Sequence, residues 1–237
     1  MGYLLLEGGA EFGGLMSEPD LRAIELAGGV DAPICILPTA AAPDHNHKRA
    51  GGNGVRWFQR LGAQNVFTVN VIDSKSASDA TLAASIRTSK LIYLLGGFPR
   101  HLSKTLKGSL CWDAALEAHQ NGAVLAGSSA GAMVMCEHYY DPHEQKLLRG
   151  LNLIPNTCVL PHHNNFGRAW VGQLRRMLPD AILIGIDEQT GMLSTDYVTD
   201  SRTAMDAEWE ITGGGEVTLY RGESTVSYGR GGKFSLV

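Results

Sequence analysis

The sequence has few charged side chains and no long apolar run. Asp, Glu, Lys and Arg make up 19% of its 237 residues, and the formal net charge is −4. A mildly acidic chain lacks the basic surface that neutralises phosphate groups, so we expect no nucleic acid partner. No stretch reaches the roughly 18 apolar residues of a membrane span, so we expect no membrane partner. The 44% hydrophobic fraction excludes a disordered chain.

Cysteines are also few, and they follow no pattern. The four are widely spaced, without a Cys-x-x-Cys pair: Cys35, Cys111, Cys136 and Cys158. Such spacing is typical of reduced core residues rather than of a disulfide framework. The N-terminal residues lack the basic region of a signal peptide, and their apolar run already ends at Glu7. We therefore expect a cytoplasmic protein.

Glycine, by contrast, is abundant. It accounts for 29 of the 237 residues, about 12%, whereas roughly 7% is usual in proteins. Many occur in pairs, which indicates tight turns or a close backbone approach. Between them, short apolar segments alternate with segments of helical length. The predicted strands are 3–6, 34–38, 66–71, 91–95, 123–126, 157–160 and 181–186, and the predicted helices lie near 18–27, 46–61, 78–88, 100–119 (one helix or two), 130–137 and 168–178.

This alternation predicts the α/β class: a doubly wound, mostly parallel sheet with flanking helices. From about residue 188 the pattern changes to alternating segments split by glycines, at 208–212, 216–220 and 225–228. Such a pattern is typical of antiparallel β-hairpins. We predict one domain over residues 1–237. Its ligands should bind at the carboxyl ends of the parallel strands.

The strongest chemical signal is Gly127-Ser-Ser-Ala-Gly131, which follows one of these strands and opens an apolar helix. Gly-x-Ser-x-Gly between a strand and a helix is the nucleophile elbow, whose strained turn exposes the central serine, here Ser129. Backbone N–H groups at the start of the helix favour a developing oxyanion. A Gly-Ser loop that only caps a helix is the structural alternative.

All histidines lie before residue 164, so the chain cannot place its base near the C-terminus as α/β-hydrolases do. His162 and His163 directly follow a predicted strand, at the functional edge of the sheet. In an extended segment only one of two neighbours faces the site, and Pro161 makes His162 our first choice. For the acid that orients the base, Asp187 and Glu188 both end the next strand.

Two further acids, Asp141 and Glu144, compete for the orienting role. For the oxyanion, the Gly96-Gly97 turn offers a second N–H donor, so Gly97 would act together with Ala130.

Two other kinds of site are alternatives to a serine nucleophile site. The Gly-rich segment 6–14 invites a nucleotide, but it lacks the G-x-G-x-x-G motif and a Walker lysine. His45 and His47 have a spacing that permits a metal, but a polar loop explains them better.

Taken together, four motifs resemble the dipeptidase E and cyanophycinase family of serine peptidases. They are Leu95-Gly-Gly97, Gly127-Ser-Ser-Ala-Gly-Ala132, Val159-Leu-Pro-His-His163 and Gly185-Ile-Asp-Glu-Gln-Thr190, and they occur in the family's order. The resemblance implies a class I glutamine amidotransferase-like fold. It also implies Ser129 as nucleophile, His162 or His163 as base, Glu188 as orienting acid, and Gly97 with Ala130 as oxyanion hole.

The expected function is hydrolysis of short peptides through an acyl-enzyme, with no cofactor and no metal. An aspartyl or β-aspartyl residue at the cleaved bond is one hypothesis for specificity. Phe98, Arg100, His163 and Arg168 are the proposed substrate-binding residues, the arginines because they would pair with an aspartyl carboxylate. A cyanophycinase-type exopeptidase and an inactive amidotransferase-like binding protein are the alternatives. We expect a monomer or a homodimer.

Overall fold

The computed structural model describes residues 2–237, and for Ser201 the backbone only. Met1, the first residue of the predicted domain, lies outside the described residues. Within this range the strands are β1 Tyr3–Glu7, β2 Ile34–Leu37, β3 Val66–Thr68, β4 Leu91–Leu94, β5 Val124–Ser128, β6 Cys136–Asp141, β7 Lys146–Arg149, β8 Ile154–Leu160, β9 Ile182–Ile186, β10 Thr190–Ser194, β11 Trp209–Gly213, β12 Val217–Arg221, β13 Ser224–Tyr228 and β14 Lys233–Phe234. The helices are α1 Ser17–Leu26, α2 His47–Arg60, α3 Ala80–Arg87, α4 Pro99–Leu106, α5 Leu110–Gln120, α6 Ala130–Met135, α7 Val171–Met177 and α8 Ser201–Asp206.

The larger sheet has helices on both faces. Its strand order is β14-β11-β10-β1-β5-β4-β2-β3, and the strands from β1 to β3 in that order run parallel. Side chains alternate between two cores along each strand, as the pleat requires. In β1, Leu5 packs in the core with Ile24 of α1 and Phe58 of α2, whereas Leu4 packs on the opposite side with Leu102 of α4. This arrangement is doubly wound.

The smaller sheet has the strand order β13-β12-β9-β8-β6-β7 and a parallel centre, in which β8 pairs with β6 and β9. One face of this sheet joins the main core through residues such as Val159 and Ile184. The other face packs Leu160 and Leu183 against Leu174 of α7. The molecule is therefore built from two sheets that share one core.

The α/β class with flanking helices is confirmed, and so are the six helical regions, with 100–119 divided into α4 and α5. Side-chain caps mark some of these boundaries: the Asp79 carboxylate accepts from the N–H groups of Thr81 and Leu82 at the start of α3. Pro99 begins α4, where its missing N–H costs nothing. The four cysteines are buried and unpaired, as expected.

Several local predictions were wrong. The predicted strands include none over residues 137–145, but β6 and β7 pair there, and Tyr139 and Tyr140 of β6 are buried in separate clusters of the core. Only β12 and β13 of the C-terminal segments form the predicted hairpin. The glycines 213–215 carry the chain from the larger sheet to the smaller one, since β11 pairs with β10 and β12 with β9.

No helix in the described range is long and apolar enough to cross a membrane. Nor do His45 and His47 join a third His, Cys, Asp or Glu in an arrangement that could hold a metal ion, within the same range.

Candidate active site

Ser129 lies on a sharp turn between β5 and α6. Its backbone has φ 48° and ψ −109°, a conformation that is strained for a residue with a side chain. A Cβ at Gly127 would be 2.6 Å from the carbonyl carbon of Gly131, and one at Gly131 would be 2.2 Å from the carbonyl oxygen of Leu94. Only glycine fits at both positions, so the sequence motif and the turn require one another. The Ser129 N–H donates to the Glu7 carbonyl (3.0 Å), which fixes the turn to β1.

His162 follows β8 and turns back toward Ser129. Its φ of 48° is also in the left-handed region, and its N–H donates to the Gly8 carbonyl at 2.7 Å. The imidazole Nε2 lies 3.0 Å from the Ser129 Oγ. The ring of Phe166 stacks on the imidazole with 4.8 Å between centroids. Backbone and ring contacts together hold the imidazole beside the hydroxyl.

Glu188 follows β9, the parallel neighbour of β8. Its Oε1 lies 2.7 Å from the His162 Nδ1, and its N–H donates to the Asn164 Oδ1 at 3.0 Å. The hydrogen bond from His162 lowers the pKa of the Glu188 carboxyl below its usual value, so the group is ionised at neutral pH. An ionised acceptor keeps the proton on Nδ1 and leaves Nε2 free to accept from the Ser129 hydroxyl.

His163 belongs to a different network, away from Ser129. Its Nδ1 lies 3.3 Å from the Asp187 Oδ1, and its Nε2 lies 2.8 Å from the Tyr220 hydroxyl. The side chain is buried, and burial lowers the pKa of the imidazole. The structure therefore places the His163 ring in this buried network rather than beside the Ser129 hydroxyl, and it pairs Asp187 with His163 rather than with His162.

Asp141 does not reach His162 either. Its carboxylate accepts from the N–H groups of His143 and Glu144 in the turn between β6 and β7. Glu144 pairs with Arg100. Of the four acids that the sequence offered, the structure places only Glu188 against His162.

Gly97 and Ala130 present backbone N–H groups near Ser129. Gly97 has φ 136°, and a Cβ there would be 2.4 Å from the carbonyl oxygen of Ala40, so this turn requires glycine. Ala130 is the first residue of α6, where N–H groups have no partner within the helix. Across residues 2–237, neither N–H donates to an acceptor of the chain. Both are free for a substrate oxygen.

A cleft of about 310 Å³ opens beside Ser129. Its lining residues are Gly97, Pro99, Ser129, Met133, Pro142, His143, Pro161, His162, Phe166 and Trp170. Aromatic and apolar side chains predominate, and none of these described residues is an Asp, Glu, Lys or Arg. Such a cleft fits a short segment of a peptide, in line with the size of ligand sites.

The other proposed substrate-binding residues lie outside this cleft. Phe98 stacks on His143 at 5.3 Å and lines a neighbouring pocket of about 470 Å³ together with Arg100. Arg100 is exposed and paired with Glu144, and Arg168 is also exposed. Neither arginine is among the described residues that line the cleft beside Ser129.

Sequence reasoning missed three residues in the loop after β1. The Gly8 carbonyl accepts from the His162 N–H, Gly9 packs against the His162 ring, and the Glu11 carboxylate accepts from the Gly96 N–H and the Ser128 hydroxyl. The available signal was the unusual Gly-rich segment 6–14, which suggested a nucleotide because glycine-rich loops after a first strand are common phosphate sites.

A serine on a strand-to-helix turn, joined through an imidazole to a carboxylate, is the arrangement of serine hydrolases. The comparison with protein families agrees with this class. The chain belongs to peptidase family S51, whose profile matches residues 4–199.

Curated relatives include cyanophycinases. The proteins of Trichormus variabilis and Nostoc sp. are each 29% identical over 177 residues, which cover 69% of this chain and 58% of theirs. The chain thus matches little more than half the length of those two relatives. The cyanophycinase of Geminocystis herdmanii is 28% identical over 97% of this chain and 84% of its own.

Solved structures show the same fold. A peptidase from an acI-B1 Actinobacterium superposes with a TM-score of 0.84 at 27% identity, over 99% of this chain and 97% of its own. A Listeria monocytogenes EGD-e protein named for peptidase E superposes with a TM-score of 0.60 at 17% identity, over 96% and 98% of the two chains. The family and the fold that the sequence motifs predicted are therefore confirmed.

Proposed function

We propose that this chain is a serine peptidase that hydrolyses short peptides with Ser129, His162 and Glu188 as its catalytic triad. The observation that carries the proposal is the hydrogen-bonded chain from the Ser129 Oγ through the His162 ring to the Glu188 carboxylate, with distances of 3.0 and 2.7 Å. Membership of peptidase family S51 supports the same activity.

In the proposed reaction, His162 takes the hydroxyl proton as the Ser129 Oγ attacks the peptide carbonyl carbon. The negative charge that forms on the carbonyl oxygen is stabilised by the N–H groups of Gly97 and Ala130. His162 then gives its proton to the leaving amine, and the C–N bond breaks. Water attacks the acyl-enzyme with His162 again acting as base, which releases the acid and restores the Ser129 hydroxyl.

For the substrate we propose a short peptide with an aspartyl or β-aspartyl residue at the cleaved bond. Resemblance to dipeptidase E supports this choice, and the volume of the cleft supports a short substrate. A cyanophycinase-type exopeptidase is the second candidate, because the Geminocystis herdmanii cyanophycinase matches almost the whole chain.

The test measures hydrolysis of α-Asp-X, β-Asp-X and uncharged dipeptides, and of cyanophycin, by the wild type and by Ser129→Ala. Ser224→Ala, in the exposed strand β13, is the matched control. We expect turnover by the wild type and the control only. Equal turnover by Ser129→Ala would exclude Ser129 as the nucleophile, and binding without turnover by the wild type would favour an inactive binding protein.

A serine-directed fluorophosphonate tests the nucleophile independently of the substrate. Attack by the Ser129 Oγ on phosphorus expels fluoride, while His162 takes the proton. We expect mass spectrometry to find the adduct on the peptide that contains Ser129 and to find none in Ser129→Ala.

A further inference from the structure

Glu11 lies in a tightly coiled loop between β1 and α1. The residues around it have positive φ angles: 110° at Gly9, 61° at Ala10 and 67° at Phe12. Such angles are costly for residues with a Cβ and persist where surrounding contacts enforce them. Phe12 supplies one of these contacts by packing on Tyr93 of β4, with 5.7 Å between ring centroids. Phe12 thus fixes the loop to β4 directly after Glu11.

The Glu11 carboxylate accepts one hydrogen bond from each of two separate segments. The Gly96 N–H donates to Oε1 at 3.2 Å, and the Ser128 hydroxyl donates to Oε2 at 3.1 Å. Gly96 precedes Gly97, and Ser128 lies one residue before Ser129 and two before Ala130. A single side chain therefore links the two segments that carry the proposed oxyanion donors.

Gly96 is required for this contact. A Cβ at this position would be 2.8 Å from the Glu11 Oε1 and 3.2 Å from the Ser129 Cβ. The first glycine of the Gly96-Gly97 pair thus admits the carboxylate, and the second turns the chain against Ala40. The link between the segments lies directly beside the proposed nucleophile.

We infer that Glu11 is a positioning residue, whose carboxylate sets the spacing between the N–H groups of Gly97 and Ala130. This inference rests on the proposed function of the site. A negative charge close to the oxyanion opposes its formation, so the benefit of Glu11 lies in its two hydrogen bonds rather than in its charge. Because oxyanion donors act only when correctly placed, a shift of about 1 Å is expected to lower the rate without weakening substrate binding.

The experiment compares Glu11→Ala with Glu11→Gln. Glutamine can accept from the Gly96 N–H and donate to the Ser128 Oγ, so it retains the link and removes the charge. Glu25→Ala, which removes an exposed carboxylate from α1, is the matched control. Each variant is assayed for kcat and KM on a dipeptide that the wild type hydrolyses, for its rate of fluorophosphonate labelling, and for its Tm.

We expect Glu11→Ala to lower kcat and the labelling rate together, by about 10- to 100-fold, with KM within about 3-fold of the wild type. Glu11→Gln should restore both rates to within about 3-fold of the wild type. Wild-type rates in Glu11→Ala would overturn the inference. So would an equal rise of KM in both variants, because the charge would then act on the substrate.

Ser128→Ala, alone and combined with Glu11→Ala, provides a second test of the link. If Glu11→Ala does not fold, Ser128→Ala breaks one arm of the link alone and is expected to lower kcat with an unchanged KM. If Glu11→Ala folds, adding Ser128→Ala should cost no further activity, since the two residues act as one unit. The proposed function fails separately, when the wild type is not labelled at Ser129, whatever the Glu11 variants do.

Discussion

Gly9 lies directly against the imidazole of His162. A Cβ built on Gly9 would be 2.3 Å from the His162 Cε1 and 2.5 Å from its Nε2, and the Gly9 φ of 110° also disfavours any other residue. The loop after β1 therefore forms the wall on which the proposed base rests.

Gly9→Ala should consequently push the imidazole away from the Ser129 Oγ and lower kcat/KM about 100-fold, the order expected for a 1 Å misplacement. Steady-state kinetics and the rate of fluorophosphonate labelling measure the loss. Gly13→Ala is the control, because Gly13 has extended backbone and nothing within 4 Å of a Cβ. Full activity in Gly9→Ala would show that His162 is not held by this contact.

Glu188→Gln should lower kcat by about 10³- to 10⁴-fold while leaving Tm nearly unchanged, because the amide no longer enforces the Nδ1-protonated tautomer of His162. Asp187→Asn changes the neighbouring residue, which pairs with His163 instead. We expect this control to lower Tm and to keep kcat within about 10-fold of the wild type. The reverse pattern would transfer the orienting role to Asp187.

Tyr220→Phe should lower the free energy of unfolding by roughly 1–3 kcal/mol, since it leaves the buried His163 Nε2 without its 2.8 Å partner. Urea denaturation measures the change. Tyr228→Phe, on the paired strand β13, is the control; its hydroxyl makes no hydrogen bond among the residues that the structure describes, and we expect less than about 0.5 kcal/mol. Loss of activity at unchanged stability would instead place His163 in catalysis.

A pH dependence of stability is expected from two buried acids beneath the Ser129 turn. Burial raises the pKa of Asp20 to about 7 and that of Glu7 well above its usual value. An acid with a raised pKa in the folded state stabilises the protein fully below the unfolded pKa of about 4, and this contribution is lost as the pH rises through the folded pKa.

Asp20→Asn cannot ionise, yet its amide oxygen can still accept from the Trp57 indole, which donates to Asp20 at 2.7 Å. The decline of Tm between about pH 4 and pH 8 should therefore be smaller in Asp20→Asn than in the wild type. Thermal unfolding across this range measures the difference. An identical pH profile would mean that Asp20 keeps an ordinary pKa in the folded protein.

The central strands and the elbow were accessible from sequence because each has a strong local signature. Apolar runs such as β1 and β4 are buried on both faces, and Gly127 and Gly131 are required by the turn that they flank. The strand ends after β5, β8 and β9 also carried the residues that the structure brings together: Ser129, His162 and Glu188.

Other features depend on contacts between distant parts of the chain, which no local pattern records. The division into two sheets follows from how β8 and β9 pair with β6 and β12, not from the composition of any strand. The choice of Glu188 over Asp187 depends on which face of the chain meets His162. Glu11 has no local signal of its contacts, because its partners lie 85 and 117 residues away.

The two-sheet construction has a consequence for how rate and stability are coupled. Ser129 follows a strand of the larger sheet, whereas His162 and Glu188 follow strands of the smaller one. The hydrogen bond between the Ser129 Oγ and the His162 Nε2 therefore joins a residue that follows the larger sheet to one that follows the smaller sheet. A small displacement of one sheet relative to the other would break this bond without breaking the pairing of any strand. The geometry of the proposed triad therefore depends on the apolar packing between the sheets, where Leu6 of the larger sheet and Ile186 of the smaller one belong to the same core.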